Sequence, residues 1–245
     1  MSIYVMSDIH GEGELFHTML EQIHFSEQDT LYILGDVIDR GPDGIALLQK
    51  IRNTPNMFML QGNHEQMMLQ CFCPQALAFD YLRWSRNGNA ETVKAFRQLE
   101  VSEQKSLLRY LAALPTHTEV MVNGVPYYLT HGFPGDTPEE EVWNRPELHA
   151  QNPKPGYRVI IGHTPVLNLI VPRDNRNAYI QHLKKRKEHP HILFAKGFID
   201  IDCGCSFPDP VKTLGCLRLD DLEEFYVCRS NPVIETLLFA RKDAV

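Results

Sequence analysis

Leu31-Tyr32-Ile33-Leu34-Gly35-Asp36-Val37-Ile38-Asp39-Arg40-Gly41 is an apolar run that stops at a glycine and breaks into carboxylates and an arginine. Short apolar runs bounded by glycine suit strands buried on both faces. The pattern recurs. Ile3–Ser7 runs into Asp8-Ile9-His10-Gly11, and Met57–Gln61 into Gly62-Asn63-His64-Glu65. Tyr127–Thr130 runs into His131-Gly132, and Arg158–Ile161 into Gly162-His163-Thr164. Between the first two runs, Glu14–Ile23 places Leu15, Met19, Leu20 and Ile23 at helical spacing. Asp43–Arg52 and Glu65–Cys71 read as further helices. This alternation predicts an α/β layered fold.

Residues 74–114 read as a mainly helical insert packed on the core, with Leu107, Leu108, Leu111 and Leu114 as an apolar stripe ended by Pro115. Asn123-Gly124, between Glu119–Val122 and Val125–Leu129, predicts a hairpin with a type I′ turn. Phe198–Asp202, Leu214–Leu219 and Phe225–Cys228 are three more strand-like pieces. No repeat or linker divides the chain, so a single domain over 1–245 is expected. One segment, about 173–196, reads as a basic insert: seven Lys and Arg stand against Asp174 and Glu188, with His182, His189 and His191 among them. It reads as a solvated face or as a guide for an anionic substrate.

Composition removes several classes of function. Acids outnumber bases 31 to 24, a net charge of −7, which disfavours nucleic acid or an anionic membrane as partner. The chain is 43% hydrophobic and 9% aromatic, too rich in core-forming residues for a disordered protein. No apolar run approaches the roughly 18–20 residues of a membrane span. The opening apolar stretch is cut by Asp8 and His10, and no basic region precedes it, unlike a signal peptide. A cytoplasmic protein is expected, with its oligomeric state open. Six cysteines include Cys71/Cys73 and Cys203/Cys205, pairs too closely spaced for a zinc ribbon or redox motif. They read as reduced, small buried hydrophobes. Neither a C-x5-R loop nor a Walker A pattern is present.

The strand ends carry the chemistry. Asp8, His10, Asp36, Asn63, His64, His131 and His163 all fall where open α/β sheets bind ligands. Carboxylate mixed with imidazole suits Mn, Fe or Zn, whereas an all-oxygen set would favour Mg or Ca. Asp8 and His10 are two apart and leave an extended chain on the same face, so they can grip one ion together. With its two oxygens, Asp36 can bridge two ions about 3.5–4 Å apart.

In order, the motifs D-x-H (Asp8, His10), G-D-x-x-D-R-G (Gly35–Gly41), G-N-H-E (Gly62–Glu65), H-G (His131-Gly132) and G-H-T (Gly162–Thr164) resemble the metallophosphoesterase superfamily. Within it the phosphoprotein phosphatase group matches best. Gly62–Met68 and Val142-Trp143-Asn144-Arg145 look most like the bacteriophage lambda-type and bacterial serine/threonine phosphatases. Pro165, where other branches often place a second histidine, agrees with that group.

The resemblance implies a layered β-sandwich core flanked by helices, with the metal site at strand C-termini. It implies that Asp8 and His10 bind one metal, Asn63, His131 and His163 the other, and Asp36 both. His64 would be the general acid oriented by Asp39, and Arg40 and Arg145 would hold the phosphate. Two divalent ions, manganese first with iron or zinc as alternatives, would activate a hydroxide. The expected activity is that of a serine/threonine protein phosphatase of broad specificity acting on a phosphoprotein or phosphopeptide. The alternative is a dinucleoside polyphosphate (Ap4A-type) hydrolase, and a third reading is a catalytically silent phospho-binding module. Glu65 reads as structural support or a helix N-terminal charge, and Asp202 as support near the site.

Overall fold

The computed structural model describes residues 1–209 and 211–228. The last part of the expected single domain, residues 229–245, lies outside the described residues. Two five-stranded sheets face each other. The first contains β1 (Ile3–Met6), β2 (Thr30–Ile33), β3 (Met57–Met59), β9 (Thr213–Arg218) and β10 (Glu224–Cys228), in the order β10-β9-β1-β2-β3. In it β1, β2 and β3 are parallel, and β9 runs antiparallel to both β1 and β10. The second contains β4 (His117–Val122), β5 (Val125–Thr130), β6 (Arg158–Ile161), β7 (Leu193–Phe194) and β8 (Ile199–Asp200), in the order β4-β5-β6-β8-β7. Here β5, β6 and β8 are parallel, with β4 and β7 antiparallel at the edges.

Strand alternation builds the layers. Tyr4 and Met6 join a core with Leu15, Phe16 and Met19 of α1 (Gly13–Gln22) and Leu48 of α2 (Gly44–Arg52). Val5, between them, points the other way and meets Tyr127, Leu129, Ile160 and Leu217 between the sheets. Each such side chain, fully buried, contributes about 1.5–3 kcal/mol relative to exposure. The outer face of the second sheet carries Tyr128, Val159, Ile161 and Phe198. At Asn123 (φ 51°) and Gly124 (φ 80°) both central residues of the β4–β5 turn are left-handed, as a type I′ turn requires.

Two expectations need correction. β3 is an edge strand, and Phe58 is 49% exposed while stacking on Tyr32, so this run is not buried on both faces. Four cysteines are buried, but Cys71 is half-buried and Cys73 is exposed. The basic segment, for which the sequence offered only a charge reading, is largely helical: α9 (Arg176–Arg186) buries only Leu183, and too few of its residues are apolar for periodicity to announce a helix.

The 74–114 region holds α4 (Ala78–Arg86), α5 (Ala90–Arg97) and α6 (Val101–Ala112), following α3 (Asn63–Phe72). The short helices α7 (Pro138–Trp143) and α8 (Val166–Ile170) sit in loops after β5 and β6. Among the described residues no helix is long and apolar enough to cross a membrane.

Candidate active site

The C-terminal ends of β1, β2, β3, β5 and β6 meet at one end of the sandwich. Each is followed at once by a sharp turn. Asp8 (φ 54°), His10 (φ 49°), Asp36 (φ 53°), Asp39 (φ 71°), Arg40 (φ 70°) and His163 (φ 65°) are all left-handed, a conformation that costs non-glycine residues of order 1–3 kcal/mol each. Such strain concentrated in one place marks a site held by its surroundings. The ends approach so closely that a Cβ at Gly62 would collide with the Asp36 carboxylate, and one at Gly162 with Ser7 and Asp8. Backbone bonds from Asp8 N to Gly35 O (3.2 Å) and His10 N to Asp36 O (2.9 Å) join the first two loops.

Glu65 pins the third. Its buried carboxylate accepts the N–H groups of Asp36, Val37 and Gly62, each at 2.9 Å. Burial, with the Asp36 charge adding, pushes its pKa up to about 7 against the pull of those donors. The helix start at Asn63, two residues before the expected one, presents His64 N to Asp36 Oδ1 at 3.0 Å.

Asp36 is the centre. It belongs to two groups of converging ligand atoms, one with His10 and His64 and one with His131 and His163. Its Oδ2 lies 3.7 Å from His10 Nε2 and 3.8 Å from His64 Nε2, and its Oδ1 3.4 Å from His131 Nε2. Asp8 Oδ1 is 3.8 Å from His10 Nε2, while Oδ2 accepts from Ser7 Oγ (2.5 Å) and His163 N (2.8 Å). Asn63 Oδ1 lies 3.0 Å from His131 Nε2.

The imidazoles are oriented from behind. His10 Nδ1 faces Ile38 O at 3.1 Å and His131 Nδ1 faces Leu34 O at 2.7 Å, so each ring turns Nε2 to the cleft. His163 is reversed: its Nε2 faces Trp143 O at 3.2 Å, leaving Nδ1 for the cleft. Metal-binding histidines are fixed in this way.

Burial first, then the Arg40 and His64 charges, hold His10 well below the ordinary histidine range. Burial, His131 and Arg145 push His163 down to about 2. Burial also opposes charge on His131, but Asp36 outweighs it and raises that pKa to about 9. The Arg40 guanidinium lies 2.6 Å from His10 Nε2, so a cationic group already rests on the lone pair that a metal would take. Lone pairs, carboxylates and that resident cation fit a divalent metal pair.

His64 stands in the first geometric group, yet its Nδ1 is tied to Asp39 Oδ2 at 2.6 Å. Burial opposes its charge, and the Asp36 and Asp39 carboxylates raise its pKa nonetheless. Asp39 does not pair with Arg40; its other partner is Trp84 Nε1 at 2.7 Å. Thr92 Oγ1 receives Asp39 N (2.9 Å), and Gly88 O receives Arg40 N (2.8 Å). The helical insert is therefore more than packing: it buttresses Asp39 and Arg40. Trp84 lies 45 residues from Asp39 and no spacing rule could have linked them.

Arg145 forms no surface ion pair with the acidic run before it. It donates to His163 O (2.8 Å) and Thr164 Oγ1 (3.2 Å) and lines the cleft. The cleft, about 280 Å³, is also walled by Trp143, quoted from the sequence only as part of a motif, and by Asn87 and Asn168, which sequence reasoning missed. Asp202 lines it, buried, with Oδ1 accepting from Gly204 N at 3.0 Å. Burial and then the Asp8 charge push its pKa well up. All ten residues singled out from the sequence are thus placed in or directly beside one cleft.

The model of the calcineurin-like phosphoesterase family matches residues 1–197. Serine/threonine-protein phosphatase 2 of Escherichia coli (strain K12) is 33% identical over 138 residues, 54% of this chain and 59% of that protein. A symmetrical bis(5'-nucleosyl)-tetraphosphatase of Acidovorax sp. (strain JS42) is 30% identical over 154 residues, 61% of this chain and 51% of that protein. The chain thus spans between half and three fifths of the length of these curated relatives. In fold it is similar to the crystal structure of a metallophosphoesterase from Sphaerobacter thermophilus (TM-score 0.54, 17% identity), with 93% of this chain and 87% of that chain covered.

Proposed function

The chain belongs to the calcineurin-like phosphoesterase family, and on that footing we propose that it is a serine/threonine protein phosphatase acting on phosphoprotein or phosphopeptide monoesters. The observation that carries this reading is the position of Asp36, shared by two sets of ligand atoms within reach of Arg40. Asp8, His10 and Asp36 would hold one divalent ion, and Asp36, Asn63, His131 and His163 the second. Bound there, the ions, manganese in the first instance, supply charge neutralisation for a phosphate dianion and lower the pKa of water.

The chain's own residues do the rest. Arg40 and Arg145 present planar forks that match phosphate oxygens bidentately. To do so Arg40 leaves His10 Nε2. Attack of water on phosphorus breaks the P–O ester bond, and the serine or threonine alkoxide that leaves is strongly basic. His64 Nε2 donates the proton it needs. Asp39 on Nδ1 fixes the tautomer and stabilises the imidazolium from which that proton comes.

A second reading, hydrolysis of a dinucleoside polyphosphate, has its own support. Helix α9, rich in Arg and Lys, is tied to the cleft rim, since Arg176 donates to the carbonyl of Asn168 at 2.9 Å. A polyphosphate would gain from that charge. Turnover of a phosphoserine peptide and of diadenosine tetraphosphate, measured side by side on the manganese-loaded protein, decides between the two. Hydrolysis of the peptide is expected; turnover of the nucleotide alone would reject the first reading.

A further inference from the structure

Arg145 stands two residues beyond the end of α7, a helix of six residues. So short a helix does not hold itself in water. Where the guanidinium points depends on what fixes α7 to the sandwich.

The acidic run Glu139–Glu141 follows Pro138 in the first turn of this helix, and its members do different things. Glu140 stays local and closes the capping box with Thr137. Glu141 turns inward and is only 5% exposed. Its Oε2 accepts from Thr116 Oγ1 at 2.5 Å and from His117 Nδ1 at 2.9 Å, and its Oε1 accepts from the Tyr128 hydroxyl. Those donors come from the start of β4 and from β5, so one carboxylate ties α7 to two strands. Charge-assisted bonds of this kind are short and directional, and they fix rotation and register where apolar contact would not.

The backbone follows. Glu141 O accepts Gly132 N at 2.6 Å and Thr130 Oγ1 at 3.2 Å, and Asn144 O accepts Phe133 N at 2.9 Å. The loop that bears His131 is thereby zipped to the segment that bears Arg145. On the other side Trp143 O faces His163 Nε2, and Arg145 donates to His163 O.

We propose that Glu141 is the positioning residue for Arg145: its carboxylate, held by Thr116, His117 and Tyr128, sets the seat of α7 and so the aim of the guanidinium that grips phosphate. This rests on the reading of Arg145 as a phosphate-holding residue. Glu141 itself touches neither substrate nor metal ligand.

The test is a double-mutant cycle on the full chain loaded with manganese. KM for p-nitrophenyl phosphate and the inhibition constant of inorganic phosphate are measured for wild type, Glu141→Gln, Arg145→Ala and the double variant. Glu141→Gln is expected to raise both constants about tenfold with a smaller change in kcat, and to add nothing once Arg145 is gone. Tyr128→Phe, which deletes one donor and keeps the carboxylate, is expected to shift both constants in the same direction by roughly threefold. Equal factors for Glu141→Gln in both backgrounds, or constants unmoved by it and by Tyr128→Phe, would overturn the positioning role while leaving the phosphate-holding role of Arg145 intact. Wild-type constants for Arg145→Ala would instead remove the reading beneath it, and the inference with it.

Discussion

Asp39 Oδ2 lies 2.6 Å from His64 Nδ1 and 2.7 Å from Trp84 Nε1, so one buried carboxylate oxygen both orients the imidazole and is itself held by an indole. Nε2 then faces the cleft, where it lies 3.3 Å from Arg40 Nη2 and where a leaving oxygen would be. His64→Asn is expected to slow hydrolysis of a phosphoserine peptide by roughly 10²–10⁴. The loss on p-nitrophenyl phosphate should be much smaller, because nitrophenolate leaves without a proton. Metal content should stay at the wild-type level. A His64→Asn protein equally impaired on both esters would remove the acid role.

Asp36 is shared by both ligand groups. Asp36→Asn keeps the shape but halves the oxygen donors and removes the charge. Elemental analysis after dialysis should show fewer ions per chain than wild type, with activity lost. Retention of two ions by that variant would contradict the bridging role.

Glu65 accepts four buried backbone N–H groups that shape the Asp36 turn, three at 2.9 Å and that of Ile38 at 3.4 Å. Glu65→Ala leaves them without a partner, and each such orphan costs about 1–3 kcal/mol. A loss of at least roughly 3 kcal/mol in urea unfolding is expected. A loss below about 1 kcal/mol would mean that the turn holds its shape by other contacts.

Donors from Thr116, Tyr128 and His117 outweigh burial at Glu141 and lower its pKa below the ordinary glutamate value. A carboxylate with a depressed folded pKa contributes stability above its unfolded pKa of about 4.3, and that stability fades as pH falls through the folded value. In a His117→Asn background, so that the neighbouring imidazole does not titrate, the stability gap between Glu141 and Glu141→Gln should be flat from about pH 8 to 5 and shrink below about 4. A gap that stays constant into acid would contradict the assignment.

The strand-and-turn repeat made most of the site legible because the candidate metal ligands sit immediately after strands, and a parallel sheet brings such ends together whatever the loop lengths. Asp8, Asp36, His131 and His163 announce themselves in this way. What tied them down was less legible. Trp84 and Thr92 reach Asp39 from a helical insert whose placement depends on tertiary packing. Helix α9 lacks an apolar stripe, so only its charge could be read. Phe58 is apolar yet exposed because β3 ends its sheet, and strand order is not written in a single strand's composition.

The central claim is that Asp36 lies between two ions. Anomalous diffraction from crystals grown with manganese tests it most directly. Two peaks about 3.5–4 Å apart are expected, both within bonding distance of Asp36, one beside Asp8 and His10 and the other beside Asn63, His131 and His163. A single peak away from Asp36, or none among these side chains, would contradict it.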